Sequence, residues 1–351
     1  MVVLLVERVG EKTMIDHWLN PLYQSQRPVI IAGAGCLSSY KELRQFSHLC
    51  EIPVVNSLPA AGIIPTHHPL CFGMIGHTGL PSANKIVYQS DLIIALGTRL
   101  DVRQTGTETV QFAPHAKVFM VNNDPDEAIK PRVRVDYKYD DCYEFLTNAM
   151  ADIKEPMNHS KWQVECCKLE IDFPVPDSQM ARTIGEIDEL YDGDVIFVTG
   201  VGSHQQHAAR HLTLDYPKRM FITSAGHGTM GAGLPMAIGA AMETKRKVVL
   251  IDGDGSFQLS FNELGTIMHY FPELNIDIHI IDNGSGGIVS QFCKLNGYDP
   301  RETTWSNPDF EGIARAYGLR VNTHRVEEIG VWPILEGGHI MSDMTYPKER
   351  L

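Results

Sequence analysis

Strand-like, largely apolar runs recur along the chain at helix-sized intervals. In order they are RPVIIAG, IPVVNS, DLIIALG and AKVFMVN, then DVIFVTG, RMFITS, KVVLIDG and IDIHIID. A strand with one wet face alternates apolar and polar residues, whereas these belong to strands covered on both sides, with room between them for crossover helices. The pattern predicts an α/β fold of two doubly wound parallel-sheet domains, the first over residues 15–150 and the second over 179–351. Residues 151–178 lose the strand rhythm, mix their charges and end in a Pro-x-Pro stretch, so they read as a linker. Residues 1–14 read as a lone strand and linker. Their apolar opening, MVVLLV, is cut off by Glu7 and Arg8, too soon for a membrane span or a signal core.

Composition narrows the class. The 351 residues include 43 acidic and 30 basic side chains, for a net charge of -13, and no basic patch is visible; nucleic acid and anionic membranes are therefore excluded as partners. Seven cysteines without C-x-x-C or framework spacing fit reduced thiols in a cytoplasmic compartment.

The glycines raise a sharper question. Gly226, Gly228 and Gly231 have G-x-G-x-x-G spacing after a strand-like run, and Asp252 follows at about the distance of a ribose ligand, as in a nicotinamide oxidoreductase. A second strand-to-helix turn follows at once, however, in DGDGSF. Gly253 and Gly255 free the backbone to approach a diphosphate, and Ser256 opens the next helix, whose N-terminus favours that charge. Asp254 is placed to hold Mg²⁺ against the diphosphate oxygens. Asn283, at the end of the next strand, offers a side-chain carbonyl and Ser285 a backbone one.

The G-D-G, 26 intervening residues and then Asp282-Asn283 resemble the thiamine diphosphate and Mg²⁺ motif of thiamine-dependent enzymes, with Asp where the family's first Asn usually stands. TGVGSHQQHAA and GHGTMGAGLPMAIGA resemble segments of the acetolactate synthase branch. RPVIIAGAG, GMIGHTG, DLIIALGTRLDVRQTG and VNNDPDE resemble, in order, its central domain, so the likeness runs over roughly residues 20–330. The resemblance implies that His204 approaches the diphosphate, that the Gly228 carbonyl binds the aminopyrimidine, and that Met230 bends the cofactor. It also implies a central nucleotide-binding-like domain in which Gly33, Gly35, Arg99, Asp101 and Asp124 surround an FAD, although many relatives bind another nucleotide there or none.

In that family a glutamate on an N-terminal pyrimidine-binding domain activates the cofactor through N1′. The chain reads as beginning where that domain ends, which implies a separate pyrimidine-domain subunit in a homo- or hetero-oligomer. The implied function is that of a split carboligase joining a decarboxylated small 2-keto acid to an acyl acceptor. Gln291-Phe292 replaces the usual Gln-Trp, and about one helix before the closing run WPILE seems to be missing, so the substrates stay open. Two alternatives stand beside this reading: a non-catalytic diphosphate-binding paralogue, and the nicotinamide enzyme. His207 and His211 are expected on the helix surface, and Glu263 is expected to be carried away from the cofactor ring.

Overall fold

The computed structural model describes residues 11–129, 132–155, 157–175 and 177–321. The expected strand within 1–14 and the run WPILE lie outside these residues. All eight apolar runs form strands. In the first domain they are β1 (Pro28–Ala32), β2 (Val54–Asn56), β4 (Leu92–Leu96) and β5 (Lys117–Asn122), joined by two edge strands, β3 (Cys71–Met74) and β6 (Asp136–Tyr139). In the second they are β7 (Val195–Thr199), β8 (Arg219–Thr223), β9 (Lys247–Gly253) and β10 (Ile276–Ile281).

Among the described residues the first sheet has the order β3-β2-β1-β4-β5-β6 and the second β10-β9-β7-β8, every pairing parallel. Continuous apolarity serves two faces at once. Ile30 and Ala32 of β1 join a cluster with Trp18, Phe46 and Phe145, while Val29 and Ile31 join Phe72, Ile86 and Trp162 on the other side. The second sheet repeats the scheme, with Phe197 and Val249 against Ile184, and Val198 and Leu250 against Leu234 and Leu264.

Residues 151–178 are not a bare tether. The helix Ser160–Asp172 lies on the first domain, where Trp162 Nε1 donates to the Pro28 carbonyl at 3.1 Å and Cys166 is fully buried.

The two domains are stitched directly. Arg44 donates from Nε to the Ile63 carbonyl at 2.8 Å and from Nη2 to Asp215 Oδ1 at 3.0 Å and the Tyr216 carbonyl at 2.8 Å. Backbone bonds run alongside, from Tyr216 N to the Gly62 carbonyl at 2.9 Å and from Thr66 N to the Leu214 carbonyl at 3.0 Å.

Candidate functional site

In the second sheet, chain order reverses between β7 and β9, and open α/β sheets bind ligands beyond the strand ends at such a point. Gly200–Gly202 leads from β7 into the helix Ser203–His211, Asp254 and Gly255 follow β9, and Asp282–Ser285 follows β10. Asp252 lies beneath them, fully buried, with Oδ1 accepting from the Gly253 N–H at 3.0 Å and bonded to the Ser256 side chain. Ser256 Oγ also accepts from the Gly231 N–H at 3.0 Å, so this hydroxyl fastens the loops from below.

The His204 ring occupies a gap that only glycines leave open. A Cβ on Gly202 or Gly253 would stand 2.7 or 3.0 Å from the ring. Nε2 is 3.5 Å from Asp252 Oδ1 and has no hydrogen bond. Burial pushes His204 down to about 4 and Asp252 up to about 7, so the contact is not an ion pair at neutral pH.

Above this floor, Asp254 is buried, and its Oδ2 accepts from Trp305 Nε1 at 3.0 Å and Asn307 Nδ2 at 2.7 Å. The Asn307 amide also donates to Asp282 Oδ1 at 2.5 Å, linking the ends of β9 and β10. Burial raises the Asp254 pKa, and the Asn307 bond opposes that shift. A chain reversal brings these residues in: Gly286 N donates to the Thr303 carbonyl and Trp305 N to the Gly284 carbonyl, each at 2.9 Å. Asn283 Oδ1 accepts from the Ser285 N–H at 3.0 Å, and a Cβ on Gly287 would lie 3.2 Å from both Asn283 Nδ2 and Ser203 Oγ. The Asn283 amide therefore stands beside the first turn of the helix that carries His204. Among the described residues no three His, Cys, Asp or Glu side chains gather for a metal. The donor set is one carboxylate, one amide and backbone carbonyls, which fits a hard cation that takes its other oxygens from a diphosphate.

Residues 15–147 match the family described as thiamine pyrophosphate enzyme, central domain, and residues 200–330 match its C-terminal TPP binding domain. The chain belongs to the thiamine pyrophosphate enzyme family. It is 34% identical over 317 residues to the acetolactate synthase isozyme 2 large subunit of Escherichia coli K12, covering 87% of this chain and 56% of that protein. Similarity to acetolactate synthase 1, chloroplastic, of Zea mays is also 34%, over 328 residues, with coverages of 87% and 51%. The chain thus spans about half the length of the curated relatives it matches.

Membership in this family overturns the nicotinamide alternative, and the geometry gives the reason. The Gly226, Gly228 and Gly231 segment follows β8, an edge strand away from the crossover, and Asp252 is sealed beneath the loops where no ribose could reach it. Met230 is 44% exposed, too open for core filler, and its Cε would lie 3.5 Å from a Cβ on Gly255. Gly228 has a φ of +67° and lies beside Arg103, which reaches across from the first domain and donates to the Ala225 carbonyl at 2.9 Å. Arg103, Trp305 and Asn307 were not singled out by the sequence pattern. His207 and His211 are half-buried and stacked, with centroids 5.5 Å apart, so the expectation of surface histidines fails because this helix face packs inward.

In the first domain the expected nucleotide residues lie at the β1/β4 crossover. The glycines there have a packing role of their own, since a Cβ on Gly33 would stand 2.1 Å from the Gly97 carbonyl oxygen. Gly33 N and Gly35 N donate to the Leu96 and Gly97 carbonyls at 2.8 and 3.0 Å. Arg99 is exposed and 3.7 Å from Asp101; Asp101 caps the turn Val102–Thr105, and Asp124 Oδ1 accepts from the Asp126 N–H at 3.0 Å.

The buried His204 makes a testable statement about acid. Below pH about 6.5 the unfolded chain binds a proton that folded His204 refuses until pH about 4. Stability present above pH about 6.5 is therefore lost as pH falls through that window, by about 3 kcal/mol from this residue at roughly 1.4 kcal/mol per pKa unit. Urea unfolding of the cofactor-free protein from pH 7 to 4 checks it. Asp252, raised to about 7, acts in the opposite sense over the same range, so the reading is the difference between parent and variant. His204→Asn should lose less stability, or gain more, than the parent as pH falls, and an identical pH dependence would contradict the account.

Proposed function

We propose that this chain binds thiamine diphosphate with Mg²⁺ and forms the diphosphate-binding half of a carboligase of the acetolactate synthase kind, acting on a small 2-keto acid. The observation that carries the reading is the meeting of Asp254, Asn283 and the start of the helix Ser203–His211 at one sheet crossover, over a floor of glycines. Asp254 and Asn283 hold the cation, with Ser285 adding a backbone carbonyl, and Gly253 and Gly255 let the diphosphate close on the backbone. His204 fixes the spacing of the two loops, and Met230 and the Gly228 carbonyl orient the rings. When bound, the cofactor supplies a carbon nucleophile for the keto carbonyl, the chemistry no side chain here provides. In the first domain, the crossover beside Arg99, Asp101 and Asp124 is the place for FAD or another nucleotide.

A second polypeptide completes the site in this reading. Glu263, the carboxylate that follows closest after the G-D-G turn, is engaged with Thr266 Oγ1 at 2.7 Å and Asn262 Nδ2 at 3.3 Å. Met230, Leu259, Val289 and Phe292 leave large apolar surface exposed around the cofactor positions, as an uncovered partner face would. Calorimetric titration with thiamine diphosphate tests the cofactor assignment. Saturable binding that requires Mg²⁺ is expected, and binding indifferent to the cation would refute it.

A further inference from the structure

Asp282 is the position of the motif running from G-D-G to Asp-Asn that the proposed function leaves without a role, and its carboxylate faces the same amide as that of Asp254. Asn307 Oδ1 accepts from Trp305 Nε1 at 2.8 Å and from Gln258 Nε2 at 2.9 Å, which fixes the orientation of the amide. Both hydrogens on Nδ2 are therefore turned to carboxylates, one to Asp254 Oδ2 at 2.7 Å and one to Asp282 Oδ1 at 2.5 Å. Two carboxylate oxygens thus share a single nitrogen. Asp282 Oδ1 also accepts from the Gly284 N–H at 3.2 Å, which holds it at the start of the turn. Among the described residues no Lys, Arg or His forms an ion pair with Asp254 or Asp282. Two neighbouring negative charges, one buried and one exposed, are bridged only by a neutral amide.

We propose that Asp282 is the second negative charge of the cation site, so that this chain takes up a divalent cation ahead of the diphosphate. The inference rests on the proposed function: Asp254 and Asn283 remain the ligands, and Asp282 acts beside them by its charge. The sign of that effect differs between the two partners. Against Asp254 alone, a divalent cation leaves a surplus positive charge to draw the diphosphate; with Asp282 ionised as well, the loaded site is formally neutral. Asp282 therefore favours the bare cation and disfavours the diphosphate that follows. A side chain that merely held the turn together would favour both.

Asp282→Asn tests this, because it removes the charge and keeps an oxygen for Gly284 and Asn307. Mn²⁺ is the probe, titrated by calorimetry into the full chain without cofactor; the relevant site is the one that Asp254→Ala removes. The parent should bind Mn²⁺ there, and Asp282→Asn about three- to tenfold more weakly, the size expected of one partly screened charge against a divalent ion. Thiamine diphosphate titrated at saturating Mg²⁺ should move the other way and bind Asp282→Asn more tightly than the parent. Both differences should shrink as salt is raised. The parent arm decides the matter even if the variant fails to fold, since absence of a Mn²⁺ site in the cofactor-free chain, or a site indifferent to Asp254→Ala, would overturn the proposal. Unchanged affinity of Asp282→Asn in either titration, or a loss in both, would overturn it too. If thiamine diphosphate shows no cation-dependent binding, the proposed function fails and this inference with it; if that binding is present while Asp282→Asn matches the parent, only this inference fails.

Discussion

Asp254→Ala is expected to weaken Mg²⁺-dependent binding of thiamine diphosphate by more than about a hundredfold, since loss of even an outer-shell partner of a metal typically costs 10- to 100-fold. In the proposed site the carboxylate would supply the negative charge that draws the cation against the diphosphate, and Asn283 and a backbone carbonyl would offer only dipoles in its place. Asp254 is also the acceptor for Trp305 and Asn307, so the variant frees both donors and loosens the reversal at 303–307. Two measurements separate these effects. Cation affinity is read by calorimetry and the reversal by tryptophan fluorescence; Asn307→Ala should disturb the fluorescence while costing far less affinity. Near-normal affinity in Asp254→Ala would remove Asp254 from the metal site.

The second large effect concerns proton removal. With thiamine diphosphate and Mg²⁺ saturating, residues 1–351 by themselves are expected to exchange the cofactor's C2 proton slowly. Adding a polypeptide that brings a carboxylate to the pyrimidine N1′ should accelerate exchange by roughly 10²- to 10⁴-fold, the usual contribution of a positioned acid or base. The expectation follows from Glu263, whose carboxylate is held by its own helix and by Asn262. Exchange followed by NMR gives the answer. Fast exchange without any second chain would show that the described residues already contain the activating group, and Glu263→Gln would then be the first variant to examine.

Six of the eight runs, β1, β2, β4, β5, β7 and β9, were legible as inner strands because burial on both faces demands apolar residues almost throughout. The edge strands β8 and β10 are less covered, and β10 alternates Ile with Asp and His. Two further edge strands were not legible. β3 contains Gly73 and buries only alternate residues, and β6 reads Asp-Tyr-Lys-Tyr, so neither carries the signature of a covered strand. At the candidate site, the G-D-G turn and Asn283 could be found because strand ends fix their spacing. Trp305 and Asn307 could not, since they reach Asp254 through pairing of 284–286 with 303–305, a contact without local periodicity. The Ser256 hydroxyl shows the opposite limit: its place in the motif was visible, but its bonds to Gly231 and Asp252 depend on how three loops meet.

Arg44 and the backbone bonds around Gly62 and Leu214 also determine how the molecule can open. Guanidinium and peptide bonds span the junction on the face where 57–66 meets 212–217, and Arg103 adds a tie at Ala225. A hinge between the sheets at this face would have to break several of these bonds at once. The reversal at 303–307 is held over the strand ends far more lightly, by two side-chain bonds to Asp254 and one to Asp282.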